Sequence, residues 1–258
     1  MHEILHSASP GDWVLDLGSQ LGSFPPSATP GRVVRLDLEA RAAPGVYAVR
    51  ADAAHLPFRS GTFARVVSNH SLEHFVQLEA ALGELGRILR PHALAYVAVP
   101  DASTLADRLY RWLARGGGHV NPFVHAGELS ARLAVALKLP LAGTRLLHSG
   151  FTFANRRNAV GRPPRRLWLL GGGFEPSVRW ATWLFRQLDR RCGTRLSVYG
   201  WAFYFGDLRH VQTASWPNVC IRCGAGHPAQ ALMPVRLRYA CAQCGAVNLF
   251  TPGTTNSC

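Results

Sequence analysis

Lysine is almost missing from this sequence. Of its 28 basic residues, 27 are arginine and one, Lys138, is lysine. Acids are scarce as well, 15 in 258 residues, so the formal charge is +13. No apolar run reaches the roughly 18 residues that a membrane-spanning helix needs. The opening residues, Met1 to His6, lack the basic and apolar regions of a signal peptide, so a cytoplasmic location is expected. No internal repeat and no low-complexity tract interrupts the chain. What is present is ample apolar material, 48% of the residues, enough for one large domain or a domain with a small appendage.

The charge is unevenly spread. Residues 1–100 carry a net −1, residues 101–155 a net +3, residues 156–197 a net +8 and residues 198–258 a net +3. An arginine bias beside abundant Ala, Gly and Pro is also what a GC-rich genome produces, so the clustering says more than the total. A basic patch at 156–197 suits phosphate, RNA or an anionic membrane surface, and equally a solvated face.

Short apolar runs bounded by turn residues predict buried strands at Trp13–Leu17, Arg32–Leu38, Val46–Val49, Ala64–Asn69 and Ala93–Pro100. Apolar residues at three- and four-residue steps predict a helix from about Leu72 to Leu89, stopped by Pro91. Pro25, Pro26 and Pro30 leave room for no more than a turn or two of helix after the first strand. Further helices are expected over 104–115, over 127–138 and in pieces within 165–191. Strands are expected at Thr144–Phe153 and, last and aromatic, at Ser197–Phe205. Alternating strands and helices imply a mostly parallel sheet.

With these elements in order, residues 12–100 resemble the class I S-adenosylmethionine-dependent methyltransferases of the type 11 group. Val14 to Gly22 is similar to their first motif, D-x-G-x-G-x-G, with Asp16, Gly18, Ser19, Gln20 and Gly22 at its key positions. Gln20 stands where the family has its middle glycine. Asp37, followed by Leu38, matches the acid that holds the ribose hydroxyls. Asp52 and Ala53, in Ala51–Phe58, match the adenine loop, in which the carboxylate accepts from the exocyclic amine. Asn69 and His70, in Ser68–Phe75, match the stretch beside the methionine and the acceptor. Glu84–Pro91 matches the helix end before the fifth strand. The resemblance implies a Rossmann-like α/β fold, a mostly parallel seven-stranded sheet, and S-adenosylmethionine as cofactor. Only about twelve residues precede the first strand, where the family usually has a covering helix, which implies a lid from elsewhere, a partner or a wrongly assigned start.

Methyl transfer asks the protein to align nucleophile, methyl and sulfur and to take up a proton. The candidate bases are His70, His74 and His119. His119 stands out because Gly116–Gly118 should make a mobile loop beyond strand five. His70-Ser71-Leu72-Glu73-His74 also fits the metallopeptidase pattern H-x-x-E-H, which needs to lie within a helix.

The tail holds two C-x-x-C-G knuckles, Cys220/Cys223 and Cys241/Cys244. Two such turns can set four thiolates in one tetrahedron, which resembles a zinc ribbon with structural Zn2+; disulfides, disfavoured in the cytosol, and an iron site of the rubredoxin type are the alternatives. Cys192 and Cys258 fall outside the pattern. The expected organisation is a Rossmann-like domain over 1–155 and 198–212, a basic Trp-rich helical insertion or lid over 156–197, and the ribbon over 213–258. The sequence reads as a methyltransferase acting on a small-molecule or lipid-like acceptor, cytoplasmic, with 156–197 as its candidate contact with a membrane. An RNA methyltransferase using the basic segment and the ribbon, and a non-catalytic scaffold, are the alternatives. Oligomeric state, acceptor atom and pathway are left open by the sequence.

Overall fold

A computed structural model of the chain describes residues 1–114, 118–155, 175–208 and 211–252. In chain order the helices are α1 (His2–His6), α2 (Leu78–Ile88), α3 (Leu105–Leu113), α4 (Ala126–Leu137) and α5 (Glu175–Cys192). The long strands are β1 (Trp13–Leu17), β2 (Arg32–Asp37), β3 (Val46–Arg50), β4 (Phe63–Asn69), β5 (Leu89–Pro100), β6 (Leu141–His148) and β7 (Val198–Phe205). Four short strands follow: β8 (Asn218–Val219), β9 (Gly226–His227), β10 (Arg238–Ala240) and β11 (Val247–Leu249). Among the described residues no helix is long and apolar enough to cross a membrane.

The seven long strands form one mostly parallel sheet in the order β3-β2-β1-β4-β5-β7-β6. β1 pairs in parallel with β2 on one side and β4 on the other. Its Val14, Leu15 and Leu17 are fully buried, as a central strand covered on both faces requires. β3 is the edge strand and is half exposed, with Tyr47 edge-on to Trp13. The chain gathers into two compact units. The first comprises Met1–Pro100, Val120–Arg145 and Trp201–Thr213; the second comprises Asp101–His119, Leu146–Gly200 and Ala214–Cys258.

Two boundaries differ from expectation for a tertiary reason, and β5 begins at Leu89, four residues before the expected Ala93. α2 begins at Leu78 rather than near Leu72, with a 3-10 turn over Leu72–His74 ahead of it. The Asn121 side-chain amide donates to the carbonyls of Leu72 and Phe75, and the Val120 and Asn121 backbone amides to that of Glu73. Carbonyls that would have fed a longer helix are therefore already used. The chain leaves β6 at His148 rather than Phe153. Gly150 runs against the Cys220 carbonyl, where a Cβ would stand at 2.5 Å, and Phe151 turns at φ +47°. A short helix, α1, does precede β1. Elsewhere α2 crosses α4 so closely that a Cβ on Gly86 would lie 2.0 Å from the Ala136 carbonyl oxygen, which only glycine permits.

In the second unit the ribbon and α5 pack together. Trp183 Nε1 donates to the Phe250 carbonyl, Gln187 to Thr251 Oγ1, and Arg222 to Glu175. Arg186, in the middle of α5, is buried and donates to the Val219 and Ser149 carbonyls. α5 is the part of the expected basic insertion that the structure describes. Arg156, Arg157, Arg162, Arg165, Arg166 and the run Leu167–Gly173 lie outside the described residues, as do Gly116, Gly117 and Cys258.

Candidate active site and metal centre

The turn after β1 is built around a buried carboxylate. Asp16 is fully buried; its Oδ2 accepts from the Ser23 amide at 2.8 Å, and Oδ1 has no hydrogen-bond partner. Burial pushes the Asp16 carboxyl above its ordinary range, opposed by the Ser23 bond and the nearby Arg35 charge. Arg35 comes from the register position beside Asp16 on β2, with Nε 3.7 Å from Asp16 Oδ2. Its Nη2 donates to the Phe24 carbonyl at 2.8 Å. The guanidinium fills the space beside Gly22, where φ is +110° and a Cβ would meet it at 2.2 Å. With no crossover helix after β1, only a 3-10 turn at Pro26–Ala28, this arginine ties the turn down.

Two further backbone features bring the predicted cofactor segments together. Gly18 has φ +65°, and a Cβ there would stand 2.5 Å from that of Ser71. Ser71 in turn donates to the Leu17 carbonyl and shares a 2.6 Å hydrogen bond with Ser68. Gln20 adopts φ +46°, the left-handed conformation that glycine favours, and its amide donates to Asp37 Oδ2 at 3.0 Å. Asp37 Oδ1 accepts from the Glu39 amide. Each of these oxygens retains a second lone pair. Leu38 is exposed and Ser19 Oγ bonds back to the Asp16 carbonyl.

Asp52 and Ala53 sit in a separate loop. Asp52 is exposed and caps the Ala54 amide, while Ala53 is buried. The loop is fastened to α2 by Glu84, which accepts from the Leu56 amide, and by Arg87, which donates to the Leu56 and Phe58 carbonyls and to Glu84. Asn69 ends β4, and His70 follows at φ +56° with its amide on the Ala98 carbonyl. His70 Nδ1 lies 3.8 Å from Oε1 of the buried Glu73, and His74 is exposed. The H-x-x-E-H pattern thus spans a strand end and a 3-10 turn, not the α-helix that a metallopeptidase reading needs.

His119 belongs to the second unit. Its ring stacks at 5.1 Å on Tyr110, and Nδ1 lies 3.0 Å from Oδ1 of Asp107, a buried acid of α3. Asp107 Oδ2 also accepts from Arg111 at 2.7 Å. An acid fixing one imidazole nitrogen is how a histidine is held in a chosen orientation.

The four tail cysteines come together: Cys220, Cys223, Cys241 and Cys244 have their sulfurs within 4.8 Å of one another. The Cys220–Cys244 and Cys223–Cys241 sulfurs are each 3.6 Å apart. A tetrahedral zinc with bonds of about 2.3 Å has edges of about 3.8 Å, so this donor set fits the metal. The two knuckles repeat one another. In each the glycine, Gly224 or Gly245, has positive φ and its amide bonds back to the first cysteine's carbonyl. Asn248 donates to Cys220 Sγ at 3.5 Å, and His227 Nε2 lies 3.3 Å from Cys241 Sγ. Such outer contacts orient thiolates toward a metal.

Sequence reasoning did not single out Arg35, Asn121, Asp107, His227 or Asn248. Arg35 alone carried a local signal, a charged residue inside an apolar strand. The others act on partners distant in sequence.

The sheet and the glycine-bearing turn at its centre define the fold of a class I S-adenosylmethionine-dependent methyltransferase. Residues 15–97 match the family model Methyltransf_11, described as a methyltransferase domain. No curated protein matches the sequence. Among solved structures, the chain is similar to a putative methyltransferase from an antibiotic biosynthesis pathway of Anabaena variabilis (16% identity, 79% of this chain and 94% of that one, TM-score 0.51). It is also similar to a putative methyltransferase of Bacillus halodurans (16%, 77% and 93%, TM-score 0.51). A third is the geranyl diphosphate C-methyltransferase of Streptomyces coelicolor, solved with Mg2+, geranyl diphosphate and S-adenosyl-L-homocysteine (16%, 79% and 76%, TM-score 0.50). The domain match and the shared fold support a S-adenosylmethionine-dependent methyltransferase.

Proposed function

We propose that this protein moves a methyl group from S-adenosylmethionine to a small-molecule or lipid-like acceptor by in-line displacement. The observation that carries the reading is the 3.0 Å bond from the Gln20 amide to Asp37, which joins the turn after β1 to the end of β2 where open α/β sheets hold nucleosides. The chain's residues fit such a cofactor. Asp16 Oδ1 is a buried acceptor with capacity to spare, and the glycine turn at Gly18 admits close approach of a ligand. When bound, the cofactor supplies a sulfonium whose methyl is the electrophile. In this reading Asp37 accepts from two ribose hydroxyls with the lone pairs that Gln20 and Glu39 leave over. Asp52 accepts from the adenine amine. Asp16, Gly18, Ser19, Gln20 and Gly22 shape the amino-acid end, with Leu38, Ala53 and Asn69 beside the ring and the methionine.

The proton of the acceptor goes to a histidine. His70, at the carboxyl end of β4, is the candidate of the first unit, with His74 next to it; His119, oriented by Asp107, is that of the second. The four cysteines hold structural zinc, which folds the ribbon and takes no part in the transfer.

Calorimetry with S-adenosylmethionine tests the reading. Binding that is lost in Asp37→Ala supports it, and no binding at millimolar cofactor would leave only the scaffold reading. Prenyl diphosphates, the class used by the Streptomyces coelicolor protein, are the first acceptors to try. His70→Asn and His119→Asn, compared for kcat against pH, tell which histidine takes the proton.

A further inference from the structure

The ribbon holds a tip by its backbone, the Phe250 amide donating to the Leu237 carbonyl, and leaves the tip's side chains outside its own packing. Val235 and Arg238 exchange both backbone hydrogen bonds, at 2.9 and 3.0 Å, closing a two-residue hairpin on Arg236 and Leu237. Both turn residues have positive φ, +47° and +62°. Asn-Gly is the pair that makes such a turn cheaply; arginine and leucine each pay strain there. Strain kept in place is a reason to ask what the side chains are presented to.

They are presented to solvent. Met233 is 90% exposed, Val235 74% and Leu237 58%, and Arg236 and Arg238 are exposed between and beside them. Three aliphatic side chains interleaved with two guanidinium groups occupy six consecutive residues. Between Asp207 and the end of the chain the sequence contains no acid, so nothing in the ribbon neutralises them from its own side chains. Tyr239, next in sequence, is buried, and Phe250, whose amide bonds the Leu237 carbonyl, is half-buried, so no fully exposed ring stands at the turn among the described residues.

We propose that this tip docks the protein onto an anionic bilayer surface. Met233, Val235 and Leu237 enter the boundary between headgroups and acyl chains, and Arg236 and Arg238 pair with lipid phosphates. The composition favours lipid over RNA, because a single strand is gripped by exposed aromatic rings and the tip offers none. The tip is a different stretch of the sequence from residues 156–197 and contains none of the candidate methyl-transfer residues, so the inference does not depend on the proposed function.

The test uses the full chain with bound zinc and vesicles of phosphatidylcholine with or without phosphatidylglycerol. Sedimentation with the anionic vesicles, weakened by salt, is the expected result. Arg236→Gln with Arg238→Gln should weaken partitioning by about 30-fold, at roughly fivefold per arginine near an anionic surface. Met233→Ser, Val235→Ser and Leu237→Ser together should weaken it on both vesicle types. Unchanged zinc content and circular dichroism show that the ribbon still folds in each variant. No sedimentation with anionic vesicles overturns the proposal. So does sedimentation that neither variant weakens, since another surface is then responsible. Variants that lose binding to an oligoribonucleotide and keep vesicle binding would assign the tip to RNA instead.

Discussion

Arg35 and Asp16 face each other across parallel strands β2 and β1, with Nε 3.7 Å from Oδ2, both of them buried. Around this pair the turn holding the candidate cofactor residues is assembled. The guanidinium also bonds the Phe24 carbonyl and fills the space beside Gly22, work that a crossover helix would otherwise do. Removing one partner of a buried pair leaves the other charge uncompensated, at a cost of about 3–5 kcal/mol. Arg35→Met should therefore lower the unfolding free energy by about that much, read as a lower denaturant midpoint, and weaken S-adenosylmethionine binding as well. Adding Asp16→Asn should recover part of the stability, because the stranded charge is gone, without recovering cofactor affinity. A double-mutant cycle read by urea denaturation and calorimetry measures both. Strictly additive stability losses would show that the pair does not interact.

Gln20 replaces the expected middle glycine yet keeps its backbone conformation, φ +46°. What the turn uses is the amide that reaches Asp37, and glycine supplies the same amide. Gln20→Gly should raise stability by about 1 kcal/mol through relief of the left-handed strain. Cofactor affinity should be retained. A tenfold loss of affinity in calorimetry would instead make the Gln20 side chain a ligand in its own right.

The core of the sheet was legible because buried strands announce themselves locally: Val14–Leu17, Val33–Leu36 and Ala93–Val99 are apolar runs bounded by turns. The cysteine knuckles were legible for a similar reason, since their spacing foretells that the four sulfurs meet. Where the reading slipped, the cause lay far along the chain. The start of α2 is set by Asn121, some fifty residues beyond the carbonyls it takes (|i−j| = 49 for Leu72). The end of β6 is set by the Cys220 carbonyl pressing on Gly150. The arginines of 156–197 read as a charge patch, yet Arg186 within it is buried on the ribbon, a contact that no local pattern reveals. Arg35 was visible as a charge in a strand, but its partner was only visible once β1 and β2 were in register.

His148 gives the second unit a sensitivity to acid. It is bonded through Nδ1 to Ser197 Oγ at 3.0 Å, and burial, with the Arg186 charge adding to it, pushes its pKa down to about 4. The unfolded chain takes up this proton near pH 6.5 and the folded chain only near 4. The unfolded state thus binds more protons in that window, and stability falls as pH falls through it. The full effect is bounded at roughly 3 kcal/mol. His148→Gln can keep a bond to Ser197 and cannot titrate. Its urea midpoint should vary less between about pH 7 and pH 4.5 than that of the parent protein. Parallel pH profiles for the two proteins would mean that His148 is not the sensitive group.

The cysteine cluster should couple metal content to the placement of α5. Four thiolates around one Zn2+ leave a net charge of about −2. The positive charges at hand are Arg222, which bonds the Cys244 carbonyl and Glu175, and buried Arg186, which bonds the carbonyl of Val219 next to Cys220. Burial holds the Arg186 pKa down to about 10, so it remains charged at neutral pH. Chelation should release one zinc per chain and free Trp183, whose Nε1 bonds the Phe250 carbonyl, to shift its fluorescence to the red. Hydrogen exchange over Glu175–Cys192 should speed up at the same time, while exchange in β1, β2 and β4 stays slow. Cys223→Ser should reproduce the chelated state. Arg186→Met should keep the metal at saturation yet bind it more weakly, since the cluster's counter-charge is gone. If chelation removed the metal and left α5 fully protected, the helix would owe its position to contacts that need no metal, such as Arg186 with the Ser149 carbonyl and Val178 in the cluster with Phe151.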